Sequence, residues 1–376
     1  MAGLYIHIPF CKQKCAYCDF YSKSPESGTV SAMLDALERE MQFRCDAVPG
    51  GGLDTIYIGG GTPTLLSPAQ LQSLLDKAAG LWDCTDLRET TAEANPEDLT
   101  DNYIARLAET GVDRLSIGIQ SFDDDLLKLM NRRHSAAGAR DAVRTAQKAG
   151  FGNITIDLIY GIPGMTQAQW ERSLDEAAGL GVQHISAYHL TIEPGTAFGK
   201  MARAGKIAPI PEAESERQYE TLRRRLSDAG FEHYEISNFA LPHRRAVHNS
   251  AYWSGGPYLG IGPSAHSYDG RTRSWAAADI AAYINGTGTD AIYESETLSE
   301  TDLRNEFVMT SLRRAEGLKV AEMALKFGAV AAERLLEQAA GFLGDGKLLL
   351  REGKISIPAE NFLLSDYIIS TLFALD

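Results

Sequence analysis

Three cysteines lie within eight residues of one another in the sequence CKQKCAYC. Cys11, Cys15 and Cys18 have C-x3-C-x2-C spacing and directly follow a predicted β-strand. Three thiolates on one tight loop can each ligate one iron of a [4Fe–4S] cluster, and the fourth iron then lacks a protein ligand. An open metal position is typical of a reactive site. A zinc site with a distant fourth ligand and free buried thiols are the alternatives, but the sequence contains no second C-x2-C knuckle, and we predict an iron–sulfur cluster.

The remaining two cysteines, Cys45 and Cys84, stand alone in or beside predicted helices, and we expect them to be buried structural residues. An odd count of five is a poor basis for a disulfide framework, so the cluster points to metal or redox chemistry. The N-terminal MAGLYIHIPF lacks the features of a signal peptide, and no long apolar run indicates a membrane span. We therefore expect a cytoplasmic protein.

The overall charge bears on the class of partner. The chain of 376 residues has 36 basic and 50 acidic residues, a formal net charge of −14. Non-specific binding to DNA or RNA needs a basic surface, so we expect no nucleic-acid partner. We interpret the acidic surface as a source of solubility rather than as a site for a particular cationic partner.

Short β-like runs alternate with amphipathic stretches over the first two-thirds of the chain, which predicts βα units and a parallel sheet. The predicted strands are Leu4–Phe10, Thr55–Gly59, Glu89–Ala94, Arg114–Gln120, Ile154–Tyr160 and His184–Thr191. The predicted helices include Ser31–Arg44, Pro68–Leu81, Ala136–Ala149 and Gln167–Gly179. Six such units are compatible with an incomplete barrel or with a doubly wound sheet, and periodicity alone does not choose between them.

Polar residues share one face of several predicted strands. They are Tyr5 and His7 in the first strand, Ser116, Gly118 and Gln120 in the fourth, and Thr155 and Asp157 in the fifth. The apolar face would pack under the helices. A purely structural barrel interior would be filled by branched apolar side chains. The polar face therefore predicts an interior that holds a ligand.

Further candidate site residues fall at the ends of successive strands, where active sites of parallel barrels collect. The run Gly59-Gly60-Gly61-Thr62-Pro63 follows the second strand, and glycines let the backbone approach a ligand closely. Glu93 ends the third strand and Gln120 the fourth, while Arg132 follows the fourth. Each alone could be an ordinary surface or capping residue, but their shared position favours a ligand site.

The pattern changes after about Thr191. A helix is predicted at Glu212–Ala229, followed by the short segments HYEISNFA, VHNSAYW and YLGIGPSAHSY. Helices at Thr301–Arg314, Lys319–Phe327 and Val330–Ala340, a hairpin in KLLLREGKISIP and a last helix from Ser365 indicate a winged-helix-like module. We predict three parts: a barrel over residues 1–230, an extension over 231–298 and a small C-terminal helical domain over 299–376. Such modules often bind DNA, but the many acidic residues here argue against it.

The cysteine motif, with the aromatic Tyr17 before its last cysteine, resembles the radical-SAM superfamily. The resemblance implies a partial (β/α)6 barrel, an α/β fold, in which S-adenosylmethionine chelates the open iron. An electron from the cluster then cleaves the sulfonium and produces a 5′-deoxyadenosyl radical. The cofactor performs this chemistry and the protein orients it. No residue of the chain is assigned a catalytic role.

The same resemblance assigns cofactor contacts along the chain. Gly60, Gly61 and Thr62 resemble the superfamily's motif that meets the amino end of the cofactor. Arg132 suits its carboxylate, because guanidinium binds carboxylate bidentately. Glu93 suits its ammonium group or a hydroxyl. The residues assigned to the ribose are Gln120 and Asp157, and Tyr5, Tyr17, Thr191 and His266 align with further contacts.

The segments YIHIPFCKQKCAYCDF, GGGTPT, SIGIQSF, NRRH and DLIYGIPG resemble the oxygen-independent coproporphyrinogen III oxidase family, and most of all its heme-chaperone branch. The oxidases carry another cysteine where this chain has Phe20. They also have a long N-terminal extension, for which Tyr5 leaves no room. The segment His248–Trp253, HNSAYW, matches the HNxxYW motif of the chaperone branch, which the resemblance links to heme binding.

This resemblance implies a chaperone that binds heme and delivers it to hemoproteins, in particular membrane-associated respiratory enzymes, with a heme-carrying protein as a possible donor. His248 is the expected heme contact, since imidazole is a common axial ligand. His7, His189 and His266 are competing ligands. The alternatives are an anaerobic coproporphyrinogen III oxidase and, disfavoured by the charge, a nucleic-acid module with an iron–sulfur sensor.

Overall fold

The computed structural model describes residues 2–374, and its centre is a run of six parallel strands in chain order. These strands are β1 (Gly3–Ile8), β2 (Thr55–Gly60), β3 (Glu89–Ala94), β4 (Arg114–Gln120), β5 (Ile154–Tyr160) and β6 (His184–His189). The predicted parallel sheet is confirmed. The first strand ends at Ile8 rather than Phe10, because Pro9 has no N–H to donate to the ladder. The sixth ends at His189 rather than Thr191.

Helices connect these strands and cover the outer face of the sheet. They are α1 (Thr29–Phe43), α2 (Pro68–Leu81), α3 (Asp101–Leu107), α4 (Asp124–Leu129), α5 (Ala136–Lys148) and α6 (Gln167–Gly179). Their starts are set locally. Ser67 accepts a hydrogen bond from the backbone N–H of Gln70, whose side chain accepts from Ser67 in return, so that α2 begins in a capping box. Thr166 and Gln169 do the same for α6.

The chain then widens the sheet at both edges, which the sequence did not predict. The later elements are α7 (Ala197–Arg203), α8 (Glu212–Asp228), β7 (Glu232–Glu235), β8 (Asn238–Ala240), α9 (Val247–Trp253), β9 (Tyr258–Ile261), β10 (His266–Tyr268), β11 (Thr272–Ala276), α10 (Ile280–Gly286) and β12 (Tyr293–Thr297). The strand order is β12-β11-β10-β9-β1-β2-β3-β4-β5-β6-β8-β7, so the described sheet keeps two free edges. The barrel is therefore partial.

A small C-terminal unit follows, as expected. It comprises α11 (Glu300–Leu312), β13 (Leu318–Lys319), α12 (Val320–Phe327), α13 (Ala329–Gly344), β14 (Leu349–Arg351), β15 (Lys354–Ser356) and α14 (Ser365–Thr371). The three strands form a second sheet in the order β13-β15-β14. The end of the predicted domain at Asp376 lies outside the described residues, and the domain boundaries stay a prediction.

The central strands separate apolar from polar side chains. Leu115, Ile117 and Ile119 of β4 are completely buried beneath the helices. Ser116, Gly118 and Gln120 face the opposite way and line a cavity. The interior is thus built to hold a ligand. Within residues 2–374, no helix is both long and apolar enough to cross a membrane.

Candidate functional site

The cysteine loop leaves the C-terminal end of β1 and forms one wall of a cavity of about 460 Å3. Backbone hydrogen bonds fix the loop from three sides. The N–H of Cys11 donates to Lys23, that of Ala16 donates to Met130, and the Ala16 carbonyl accepts from Phe198. All three thiols of Cys11, Cys15 and Cys18 line the cavity. The loop is thus held in place by segments that are distant in the sequence.

The donor set around the thiols suits an iron–sulfur cluster. The Thr62 hydroxyl lies 3.5 Å from Cys11 Sγ, and Nη1 of Arg132 lies 3.2 Å from Cys15 Sγ. Both groups can donate to an anionic sulfur. Burial raises the pKa of Cys18 to about 11. Within the described residues, no three His, Cys, Asp or Glu side chains converge on a single-ion site, whereas a cluster bonds each thiolate to a different iron.

The two glycines where β2 ends, Gly60 and Gly61, have no space for a side chain, because neighbouring atoms lie too close. Gly60 has φ of +103°, and a Cβ there would overlap the His7 ring. A Cβ on Gly61 would come within 2.5 Å of the Phe10 carbonyl oxygen. The glycine run therefore packs directly against the end of β1. This contact brings Thr62 to the cysteine loop.

Two partly buried carboxylates face the same cavity. Glu93 accepts hydrogen bonds from the Tyr57 hydroxyl at 2.8 Å and from the Gly60 N–H at 2.9 Å. Asp157 accepts from the Ser116 hydroxyl at 3.3 Å. Burial raises the pKa of Glu93 to about 7 and that of Asp157 to about 6. The cavity therefore holds two acids that a cationic ligand would keep ionised.

Arg132 is engaged by the protein itself. Nη2 donates to the Asn95 side chain at 2.7 Å and to the Gly118 carbonyl at 2.5 Å, while Nη1 contacts Cys15. Only Nε is buried without a partner. To bind a carboxylate with two hydrogen bonds, as expected from the sequence, the guanidinium would have to give up one of these contacts. In this geometry the guanidinium instead supports the cysteine loop.

The structure brings most of the predicted cofactor contacts together and leaves three apart. The predicted residues that line the cavity are Tyr17, Gly60, Gly61, Thr62, Glu93, Gln120, Arg132, Asp157 and Thr191. Tyr5 does not line it, and its hydroxyl hydrogen-bonds to Nδ1 of His7 at 2.9 Å. His266 is exposed and stacks on Trp275. His7 also contacts the Tyr21 carbonyl, whereas His189 does line the cavity.

The third residue outside the cavity lining is His248, the expected heme contact. Its ring is only 2% exposed. Nδ1 lies 2.7 Å from the Thr55 hydroxyl and Nε2 lies 3.1 Å from the Tyr252 hydroxyl, and the ring stacks on Tyr57. Burial lowers the pKa of His248 to about 3, so the ring is neutral. With both nitrogens engaged, direct ligation of iron would require one hydrogen bond to be exchanged.

Several lining residues were missed from the sequence. Tyr57 and Tyr188 belong to the polar faces of β2 and β6, and the alternation used for the other strands could have found them. Asn95 directly follows β3 and bonds both Thr62 and Arg132. Asn249 also lines the cavity. It belongs to the HNSAYW segment, but its place at the cofactor cavity depends on the tertiary fold that brings α9 there.

Known proteins share both parts of this architecture. A family model of the Radical SAM superfamily matches residues 5–177, and one of the HemN C-terminal domain matches residues 298–364. The Heme chaperone HemW of Mycobacterium tuberculosis (strain ATCC 25618 / H37Rv) is 36% identical over 375 residues, which cover 98% of this chain and 94% of that protein. The chain belongs to the HemW family.

Other comparisons agree with this membership. Heme chaperone HemW of Bacillus subtilis (strain 168) is 37% identical over 87% of each chain. The solved structure of coproporphyrinogen III oxidase (HemN) from Escherichia coli has a TM-score of 0.83 and 24% identity, and the alignment covers 99% of this chain and 90% of that one. That likeness confirms the fold. As a radical-SAM protein of the HemW family, the chain uses a [4Fe–4S] cluster and S-adenosylmethionine as cofactors.

The raised pKa of Glu93 predicts a pH-dependent stability. Since the pKa rises from 4.5 to about 7 on folding, the free energy of unfolding falls as pH increases through this range. At 1.36 kcal/mol per pKa unit, the ionised group costs the cofactor-free protein about 3 kcal/mol above about pH 8. Glu93→Gln is therefore expected to be more stable than the native protein at pH 8 and about equal to it near pH 4, below both pKa values.

Urea denaturation of the cofactor-free protein at both pH values checks this expectation. Glu109→Gln is the control, because the Glu109 side chain is exposed and its replacement should change neither midpoint. A native-like midpoint for Glu93→Gln at pH 8 would show that burial of this carboxylate does not destabilise the fold.

Proposed function

We propose that this protein is a heme chaperone, which binds heme as cargo and delivers it to acceptor hemoproteins. The observation that carries the proposal is the near full-length similarity to several proteins named Heme chaperone HemW. The side chain of Phe20 supports it. This residue replaces the additional cysteine expected of the oxidases, lines the cofactor cavity and is 66% exposed.

We further propose that Cys11, Cys15 and Cys18 hold the cluster and that the polar cavity beside them holds S-adenosylmethionine. When bound, the cluster supplies an electron for cleavage of the sulfonium. Glu93 and Asp157 would accept hydrogen bonds from the ammonium group and the ribose hydroxyls. Arg132 places its positive charge against Cys15 and so stabilises the thiolate.

The acceptors in this proposal are hemoproteins, with membrane-associated respiratory enzymes as the first candidates, and a heme-carrying protein as the donor. The cytoplasm is the proposed compartment. The five cysteines are all free thiols, which suits a reducing environment. Nucleic acid has no part in the proposal, given the net charge of −14.

One sample tests the chaperone against the oxidase. The anaerobically reconstituted protein is titrated with heme and followed by its visible spectrum, and is then incubated with coproporphyrinogen III and S-adenosylmethionine. We expect stoichiometric heme binding without formation of protoporphyrinogen. Turnover combined with weak heme binding would contradict the chaperone and assign the oxidase activity in spite of Phe20.

A further inference from the structure

A second and larger cavity lies between α9 and the C-terminal unit. Its volume is about 820 Å3, compared with about 460 Å3 for the cofactor cavity. We call it the α9 groove. Tyr252 and Trp253 of α9 form part of one wall, and residues of α11, α12, β13 and β15 form the opposite wall. The groove is within the usual size range of ligand sites.

The lining of the α9 groove is rich in aromatic rings. They are Tyr252, Trp253, Tyr258, Tyr268, Phe307 and Phe327. The rings of Tyr252 and Tyr258 meet edge to face with centroids 4.6 Å apart, and those of Phe307 and Phe327 lie 5.7 Å apart. Aromatic surfaces on opposing elements suit a flat apolar ligand that can pack against their faces and edges.

The charges of the α9 groove do not cancel. Each of its four acids has a cationic partner: Glu300 pairs with Arg271, Glu306 with Arg273, Glu316 with Arg245 and Glu322 with Lys326. In contrast, Arg314, Lys319 and Lys354 also line the groove but form no ion pair within the described residues. Nε of Arg314 is buried without a hydrogen-bond partner.

The two lysines are held side by side by the small sheet. Lys319 of β13 and Lys354 of β15 are direct partners in the antiparallel register. Directly opposed residues project from the same face of a sheet, and like charges in that position are destabilising. Both lysines are exposed at the groove, where solvent screens their repulsion, and together they provide two neighbouring positive charges that an anionic ligand can contact.

We propose that the α9 groove binds heme, with the porphyrin between the aromatic walls and its carboxylates on Lys319, Lys354 and Arg314. This inference rests on the proposed function, heme binding and delivery, and names the site at which heme would bind. Arg314 follows α11, while Lys319 and Lys354 are paired across β13 and β15, and these three cations give the groove a positively charged side that suits the carboxylates. His248 lies behind Tyr252 in this arrangement and does not contact the ligand.

The test compares two anaerobically reconstituted full-length proteins, the native chain and the double variant Lys319→Gln/Lys354→Gln. Each is titrated with hemin. We expect the double substitution to raise the Kd for hemin by about tenfold or more, because two charge-assisted contacts are lost. Protoporphyrin IX dimethyl ester, which lacks the carboxylate charges, should bind both proteins equally. The matched control is Lys148→Gln/Lys347→Gln, which changes the net charge equally at positions outside the groove lining.

The outcomes separate the two proposals. Tight hemin binding by the native and control proteins, with weak binding by the groove variant, supports the α9 groove. Equal hemin affinity in all three proteins overturns the groove and leaves the chaperone intact. Absence of hemin binding by the native protein overturns the chaperone and, with it, the groove. Circular dichroism and cluster absorbance establish that the variants are folded.

Discussion

Replacing Cys15 with alanine is expected to abolish assembly of the [4Fe–4S] cluster. Each of the three thiolates would bond a different iron, and among residues 2–374 no fourth thiol lines the cavity to replace the lost one. The positive charge of Arg132, which faces Cys15, would then lack its anionic partner. Iron and sulfide analysis after anaerobic reconstitution, together with the visible absorbance, measures the loss. S-adenosylmethionine binding should disappear with it.

Cys84→Ala provides the control for this expectation. Cys84 is also a free thiol and lies outside the cofactor cavity. The expectation that Cys45 and Cys84 are buried was wrong, since both are partly exposed. Its replacement should leave the iron content and S-adenosylmethionine affinity unchanged. Native iron content in Cys15→Ala, or loss of the cluster in Cys84→Ala, would refute the assignment of the ligands.

The parallel sheet could be predicted because each of its strands and connecting helices can be recognised from its own short stretch of sequence. Most strands from β1 to β6 are short runs in which an apolar face alternates with a polar one, and the capping residues Ser67 and Thr166 mark where helices begin. The C-terminal ends of parallel strands lie at one edge, so Glu93 and Gln120 could be placed at one site from sequence position, while strand alternation placed Asp157 on the same inner face.

The parts that could not be predicted depend on distant contacts. The strands that extend the sheet are short, and their pairing with β1 and β6 leaves no periodic signal. His248 has the chemistry of an axial ligand, yet the fold places it against Thr55 and Tyr57 in the interior. Ligand chemistry can be recognised in a sequence, whereas the direction in which a side chain points is set by its neighbours.

Helix α9 connects the two cavities. Asn249 reaches the cofactor cavity, while Tyr252 and Trp253 line the α9 groove. The helix starts at Val247, and the backbone N–H groups of Val247 and His248 both donate to the carboxylate of Glu89. A buried acid at the start of β3 therefore fixes the position of a segment that borders both sites.

Arg114→Met is expected to produce the largest loss of stability. Arg114 and Glu89 are each 2% exposed, with 3.6 Å between Nη1 and the carboxylate. Arg114 also donates to Asn153 and Thr155. Removal of one partner leaves a buried carboxylate without its cation, which typically costs about 3 to 5 kcal/mol. Urea denaturation measures the loss, and hydrogen exchange over residues 247–253 should report early release of α9.

The matched control is Arg140→Met, which breaks the ion pair of Arg140 with Glu176. That pair has good geometry, with Nε at 2.6 Å, but its side chains are 32% and 34% exposed. Partly exposed pairs contribute about 1 kcal/mol or less, so the urea midpoint should change little. Equal effects of the two substitutions would contradict a special role for the buried pair. A large effect of Arg114→Met with unchanged exchange in α9 would show that Glu89 does not need its cation to anchor the helix.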